Sequence, residues 1–93
     1  MTTNIIPAHV FTYAGCNLNV YHANKGEGLV RHEHTFNHAT VCQSGSCLVS
    51  LEGRSYTMNK DSQPLDLPAN EWHEIEALED GTVFVNVFAE GKN

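Results

Sequence analysis

Turn-forming segments recur along this chain every eight to twelve residues, and no other feature limits its fold as strongly. They are rich in Gly, Asn, Asp, Ser and Pro, and they read ANKGEG, QSGS, EGR, NKDSQP, LPANE and LEDG. Short β-branched and aromatic runs lie between them, and no helical period is kept for three turns. This pattern predicts an all-β sandwich or barrel. We place strands near residues 10–14, 16–23, 29–34, 38–43, 46–51, 54–59, 64–67, 71–78 and 82–88.

Length and composition limit the protein to one small domain, which we expect to span residues 1–93. A chain this short buries about 60 to 65% of its unfolded surface, so a metal or a partner subunit would add useful stability. The net charge is −6 and the five basic residues are scattered, so we expect neither nucleic acid nor a membrane as a partner. Three cysteines without C-x-x-C spacing, and no leader or spanning segment, predict a cytoplasmic protein with reduced thiols.

The predicted strand LVRHEH, residues 29–34, has two chemically different faces because side chains alternate along a strand. Its charged residues belong on the outward face, since unpaired charges are rarely buried. Strict alternation puts Leu29 on that outward face and turns Val30, His32 and His34 inward. Two histidines separated by one residue can direct both rings at a single ion.

Two further histidines follow the same rule. His38 in HATVCQ and His73 in EWHEIEAL are predicted to face inward, because the opposite face of the second segment carries glutamates. Burying an imidazole unpaired costs about 1 to 3 kcal/mol. A divalent metal removes that cost by accepting one lone pair from each ring, and the other nitrogen then needs its own partner. The alternative is a patch of hydrogen-bonded histidines without an ion.

The spacing of the first three histidines resembles the first motif of the cupin superfamily, G-x5-H-x-H-x3,4-E-x6-G. Gly26, His32, His34, His38 and Gly45 occupy its positions, so the motif spans residues 26–45. His38 stands where the family usually has Glu. All of the spacings match.

A second cupin motif, G-x5-P-x-G-x2-H-x3-N, is matched less closely over residues 62–77. Pro68 and His73 agree with it, whereas Ser62, Asn70 and Ala77 replace its Gly, Gly and Asn. Asn is a natural substitute for Gly in a turn, because Asn tolerates the left-handed backbone conformation.

This resemblance implies a small antiparallel jelly-roll β-barrel with one divalent transition metal in its mouth, held by His32, His34, His38 and His73. Four neutral imidazoles suit Fe, Mn, Ni, Cu, Co or Zn, and fit Ca or Mg poorly. No organic cofactor is expected. The function implied is a metal-dependent oxidoreductase, most simply a dioxygenase acting on a small oxygenated organic molecule, with isomerase or lyase chemistry less favoured. The alternative is a non-catalytic ligand-binding or sensing cupin whose metal is structural.

Catalytic groups beyond the ligands are only weakly indicated. Tyr13, Tyr21 and Tyr56 offer phenols for acid–base chemistry, and Cys42 shares the face of His38. Barrel tyrosines and small buried cysteines usually serve packing alone. The last predicted strand, residues 82–88, is apolar on both faces, which indicates cover on each side. Together with the limited core, this predicts a homodimer.

Overall fold

Ten short strands make up the protein in the computed structural model, which describes residues 2–89. They are β1 (Thr3–Asn4), β2 (His9–Tyr13), β3 (Cys16–Ala23), β4 (Glu27–His32), β5 (His38–Ser44), β6 (Ser46–Leu51), β7 (Arg54–Asn59), β8 (Leu65–Leu67), β9 (His73–Ala77) and β10 (Thr82–Ala89). The all-β prediction is confirmed, and only β1 was not foreseen. Within the described residues, no helix is long and apolar enough to cross a membrane. The cytoplasmic location stays a prediction.

The strands form two five-stranded sheets that pack face to face. Their orders are β1-β4-β9-β6-β7 and β2-β3-β10-β5-β8, and every pairing is antiparallel except that of β1 with β4. The inner faces meet in a core that includes Val49, Leu67, Ile75 and Phe84, all fully buried. This arrangement confirms the predicted antiparallel jelly roll.

The pairing of β4 with β9 contains an irregularity that changes which side chains face the core. Leu29 lies opposite Ile75 and His32 lies opposite His73, so three steps along β4 correspond to two along β9. The extra residue is the signature of a β-bulge, which shifts the side-chain alternation. As a result Leu29 is 9% exposed and Val30 is 42% exposed. The prediction that placed Leu29 outward and Val30 inward is therefore wrong, although His32 does face inward.

Two glycines are required where strands approach closely. A Cβ atom on Gly28 would collide with the backbone carbonyl of Ile75, so only glycine lets β4 lie this close to β9. Gly45 has a φ of +71°, and a Cβ atom there would also collide with the side chain of Thr82. The last glycine of the first motif thus has a steric reason.

Candidate metal centre

Four histidines meet at one end of the barrel because the elements that carry them begin or end there. His32 is the last residue of β4, His38 is the first of β5 and His73 is the first of β9. His34 lies in the connection from β4 to β5 and not on a strand, since β4 ends two residues earlier than predicted. The first sheet supplies β4 and β9, and the second sheet supplies β5. The cluster therefore joins the two sheets.

The ring nitrogens of this cluster face one another. The Nε2 atom of His73 lies 3.1 Å from Nε2 of His32 and 3.3 Å from Nε2 of His38. Nitrogens of His32, His34 and His73 all lie within 4.8 Å of one another, which makes these three a candidate ligand set. His38 contacts the set through His73, and its ring centroid is 5.2 Å from that of His34. A role for His38 as the fourth ligand stays a prediction.

These distances can be compared with the requirements of a bound ion. With metal–nitrogen bonds of about 2.0 to 2.1 Å, two ligand nitrogens lie about 3.0 Å apart at a right angle and about 3.4 Å apart at a tetrahedral angle. The 3.1 and 3.3 Å separations fall inside that range. Each contact between two neutral imidazole nitrogens can hold only one proton. Nitrogens that carry no proton point lone pairs into the cluster, and a cation there would bind those lone pairs. The residues present fit a divalent transition metal.

A hydrogen bond at Nδ1 holds the His32 ring in the orientation that a metal ligand needs. Its Nδ1 donates to the carbonyl oxygen of Val30 at 2.7 Å, which leaves the Nε2 lone pair free to face the cluster. The exposed backbone of the bulge thus supplies this carbonyl. By contrast, Nδ1 of His38 lies a longer 3.4 Å from the Ala39 carbonyl. The buried Nδ1 of His73 makes no hydrogen bond of good geometry within residues 2–89, although the backbone of Glu71 lies close enough to oppose the lowering of its pKa.

Burial keeps the rings of His38 and His73 neutral at physiological pH. His38 and His73 are only 3% and 1% exposed, and burial lowers the pKa of each to about 4. The neighbouring histidines lower both values further, because they disfavour a second positive charge, while the Ala39 carbonyl partly opposes the shift at His38. Burial, followed by the charge of His32, also lowers the pKa of His34. Neutral imidazole is the form that binds a metal.

A turn beside the cluster positions His34 relative to His73. Asn70 adopts a φ of +62°, which is the left-handed conformation expected at the position where the cupin motif has Gly. Its backbone N–H donates to the carbonyl of His34 at 2.7 Å, and the N–H of Ala69 donates to Oδ1 of Asn37 at 2.8 Å. These two bonds tie the turn before β9 to the β4–β5 connection. The sequence did not indicate that Asn37 accepts this hydrogen bond, because Asn is common in turns of every kind.

Two aromatic rings border the histidines. The Phe36 ring stacks on His34 with centroids 4.9 Å apart, and the Phe88 ring lies 4.5 Å from that of His38. Apolar rings at this distance exclude water from one side of the imidazoles and lower the local dielectric. They therefore strengthen electrostatic interactions inside the site.

A cavity of about 330 Å³ opens beside His32 and His34. Its other walls are neutral, combining apolar side chains with a phenol and carboxamides: Leu29, Val30, Phe88, Tyr21, Asn4, Asn19 and Asn86. This volume is at the small end of ligand sites, which run from about 300 to 1,000 Å³. The space suits a molecule of one ring or a short chain.

The four weak catalytic candidates are placed very differently. Tyr21 lines the cavity, stacks on Phe84 at 4.8 Å between centroids, and has its pKa raised by burial. Tyr13 and Tyr56 are 75% and 41% exposed, and neither belongs to the cavity lining. Cys42 is buried, with its Sγ 3.6 Å from that of Cys47. Of the four, Tyr21 is the one that a ligand in the cavity would meet.

Comparison with known proteins connects this geometry to a fold. No protein-family model matches the sequence, and neither does any curated protein. Solved structures do match. A cupin-2 domain containing protein from Shewanella frigidimarina superposes with a TM-score of 0.74 at 13% identity, over 95% of this chain and 83% of that one. A cupin superfamily protein from Desulfitobacterium hafniense gives a TM-score of 0.70 at 12% identity, over 91% and 81%.

An uncharacterized conserved protein with a double-stranded β-helix domain, from Klebsiella pneumoniae, gives a TM-score of 0.73 at 20% identity, over 92% of this chain and 78% of that one. At these identities the likeness speaks for the fold and not for an activity. The motif resemblance and the superpositions agree, and the chain therefore has the cupin fold.

Proposed function

We propose that this protein is a metal-dependent oxidoreductase, a dioxygenase that acts on a small oxygenated organic molecule. One observation carries the proposal: nitrogens of His32, His34 and His73 lie within 4.8 Å of one another, beside a cavity large enough for a small ligand. A cluster that only filled the core would need no open space beside it. The described cavity lining contains no serine or cysteine, so nucleophilic catalysis has no support there.

The residues of the site have separable roles in this proposal. A divalent ion bound here would supply open coordination positions for substrate oxygens and O2, and would make the substrate more acidic. His32, His34 and His73 would hold it, with His38 as the proposed fourth ligand. The Phe36 and Phe88 rings would exclude water from the histidines, and Tyr21 lines the cavity that the substrate would occupy.

The ligand chemistry limits the choice of ion. Three or four neutral imidazoles without a carboxylate suit Fe, Mn, Ni, Cu, Co or Zn. Since no ligand carries a negative charge, the ion keeps its full double positive charge. That charge favours substrates that bind through one or two oxygens, including those that ionise on binding.

A second function is favoured by one specific feature, the position of the cluster between the sheets. His73 belongs to the first sheet and His38 to the second, and their Nε2 atoms are 3.3 Å apart. An ion bound by both would cross-link the sheets and stabilise a small barrel. In this reading the protein is a non-catalytic ligand-binding or sensing domain with a structural metal.

The metal content of the purified protein and its oxygen uptake separate the two functions. The dioxygenase proposal expects about one equivalent of Fe, Mn, Cu, Ni or Co, and oxygen uptake with at least one member of a panel of diketones, flavonols and thiols. Stoichiometric Zn without oxygen uptake would support the structural reading. Protein that binds none of these ions would refute both.

A matched pair of variants tests whether the cluster is the site. His34→Ala should lose most of the bound metal, because it removes one of three clustered ligands. His22→Ala is the control, since His22 is an exposed histidine outside the cluster. An equal metal load in both variants would contradict the assignment.

We also propose that the chain forms a homodimer through the outer face of the second sheet. Four of its five strands, β2, β3, β5 and β10, contain no Asp, Glu, Lys or Arg residue, although the chain carries a net charge of −6. The fifth, edge strand β8, carries one charged residue, Asp66, opposite Ala39. Their outward rows are apolar and partly exposed: Val85 lies between Val20 and Val41, and Val87 lies between Leu18 and Ala39. Two acidic copies approach with least repulsion at a face whose one charged strand residue, Asp66, lies at its edge, and the apolar centre of such a face can pack on itself across a two-fold axis.

Light scattering during size exclusion tests this assembly. Wild type and Thr57→Asp, an exposed change on β7 of the other sheet, should run as dimers. Val85→Asp should run as a monomer, because it puts a charge in the apolar row. A monomeric wild type at all concentrations would refute the proposal.

A further inference from the structure

The interior of the second sheet carries a layer of neutral polar side chains directly beneath the histidine cluster. Along β10, Phe88 packs against His38, and Asn86 follows two residues away on the same face. Asn86 pairs across the ladders with Asn19 on one side and Thr40 on the other. Asn86 and Thr40 are essentially inaccessible to solvent. Buried amides in so small a core need a reason, because each must keep its hydrogen bonds.

The hydrogen bonds inside this layer are incomplete. The hydroxyl of Thr40 donates to Oδ1 of Asn86 at 2.7 Å, which leaves the Asn86 amide nitrogen without an acceptor among residues 2–89. Next to it, Oδ1 of Asn19 is buried and no described residue donates to it. Both side chains line the cavity beside His32. One free donor and one free acceptor thus lie on neighbouring strands at the inner wall of the cavity.

A single hydroxyl group that reached between the two amides would satisfy both atoms. It donates its proton to Oδ1 of Asn19 and accepts from the amide nitrogen of Asn86. The Tyr21 hydroxyl lies near enough to the Asn19 side chain for that amide to lower the pKa of Tyr21, against the larger raising effect of burial. A ligand hydroxyl would therefore join an existing chain of polar groups.

The same wall selects against charge. The described lining contains no Asp, Glu, Lys or Arg, so a carboxylate or ammonium group at the Asn layer would lose its hydration without gaining a counter-ion. Between the Asn layer and the histidines, Leu29 and Phe88 offer apolar contact. From the outer to the inner end of the cavity, the lining thus changes from histidine to apolar to neutral polar side chains.

We infer that this site takes a small uncharged hydroxylated molecule, bound at its outer end through oxygens at the histidine cluster and at its inner end by a hydroxyl held between Asn19 and Asn86. The inference rests on the proposed function for the outer end only. The inner end depends on the two amides and requires no ion. The substrate class proposed is therefore neutral hydroxy-carbonyl compounds of one ring or a short chain.

Three hydroxypyranones that differ in one substituent test the inference. Allomaltol, kojic acid and comenic acid share the same chelating hydroxy-ketone ring, and carry a methyl, a hydroxymethyl and a carboxylate group respectively. Each is titrated by calorimetry into the full chain loaded with Zn²⁺, which does not oxidise the probe. Kojic acid should bind about threefold to tenfold more tightly than allomaltol, as expected for one or two neutral hydrogen bonds. Comenic acid should bind at least about tenfold more weakly than kojic acid.

Single substitutions test which residues cause the preference for kojic acid over allomaltol. Asn86→Leu and Asn19→Leu should each reduce the ratio of kojic acid to allomaltol affinity toward one, while the affinity for allomaltol stays within about twofold. Asn24→Leu, at an exposed Asn outside the cavity, should leave the ratio unchanged. Asn19 is less buried than Asn86, so its variant keeps the test available should Asn86→Leu fail to fold.

The outcomes separate this inference from the metal proposal. Equal binding of the three probes to the metal-loaded protein would overturn the inference and leave the metal site intact. Should no ion load, the metal proposal fails, and the comparison moves to metal-free protein with saturation-transfer NMR. There, stronger transfer to kojic acid than to allomaltol, lost in Asn19→Leu, supports the inference, and equal or absent transfer overturns it.

Discussion

Acidification of the metal-free protein should destabilise it steeply between pH 6.5 and pH 4. The cause is the pair of buried rings, His38 and His73, whose pKa values burial lowers from 6.5 to about 4. The unfolded chain exposes both rings and takes up protons first as the pH falls. Stability from these groups is therefore complete above pH 6.5 and is lost progressively as the pH falls toward 4.

The magnitude follows from the same two values. A group with a pKa of 6.5 when unfolded and about 4 when folded reduces the free energy of unfolding by about 2 kcal/mol at pH 5, and by about 3 kcal/mol below pH 4. Two such groups give about 4 kcal/mol at pH 5. A domain of this size has a total free energy of unfolding of about 5 to 10 kcal/mol, so the loss is large.

Urea denaturation in the presence of a chelator measures this effect at pH 7.5, 6 and 5. Carboxylates titrate over part of the same range, so the informative quantity is the difference between variants. His73→Gln and His38→Gln should each remove about 2 kcal/mol from the change between pH 7.5 and 5. His22→Gln replaces an exposed histidine and should keep the full change.

The reasoning is refuted if His73→Gln and His38→Gln lose as much stability on acidification as the wild type. That result would mean that both rings are protonated equally well in the folded and unfolded states. It would remove the electrostatic basis for regarding the cluster as neutral metal ligands.

Three further outcomes are expected. Gly28→Ala should destabilise the fold by about 1 to 3 kcal/mol in urea denaturation, because its Cβ would collide with the facing carbonyl of β9; an unchanged midpoint would contradict that packing. Asn70→Gly should keep both the melting temperature and the metal affinity, whereas Asn70→Val should lower both, because a β-branched residue is strained at φ +62°. The buried thiols of Cys42 and Cys47 should react with a disulfide reagent only after unfolding, while Cys16 reacts in the folded protein; three fast thiols would argue against this burial.

Much of the fold was predictable because its signals are local. Turn residues and β-branched runs act over a few positions, and they placed nine of the ten strands to within about three residues. The exception, β1, has only two residues and is defined by its parallel pairing with β4. A strand that exists through a distant partner leaves no local signal.

The candidate site was predictable to a similar depth. Alternation along each strand correctly turned His38 and His73 inward, because a single side chain cannot face both core and solvent. The same rule failed at Leu29 and Val30, where the bulge against β9 moves one residue out of register. The placement of a bulge depends on the partner strand and its packing, and neither can be read from the residues of β4 alone.

The amino-acid sequence by itself determined that His38 and His73 face inward and that the chain folds into short antiparallel strands, because both follow from side-chain chemistry over a few consecutive residues. Only the tertiary structure decided that Nε2 of His73 comes within 3.1 Å of Nε2 of His32, forty-one residues away, and that Asn19 and Asn86 form one layer of a cavity. Those distances depend on the register between strands far apart in the chain. That register is settled by the packing of the whole core, where a shift of one residue would turn each of these side chains to the opposite face.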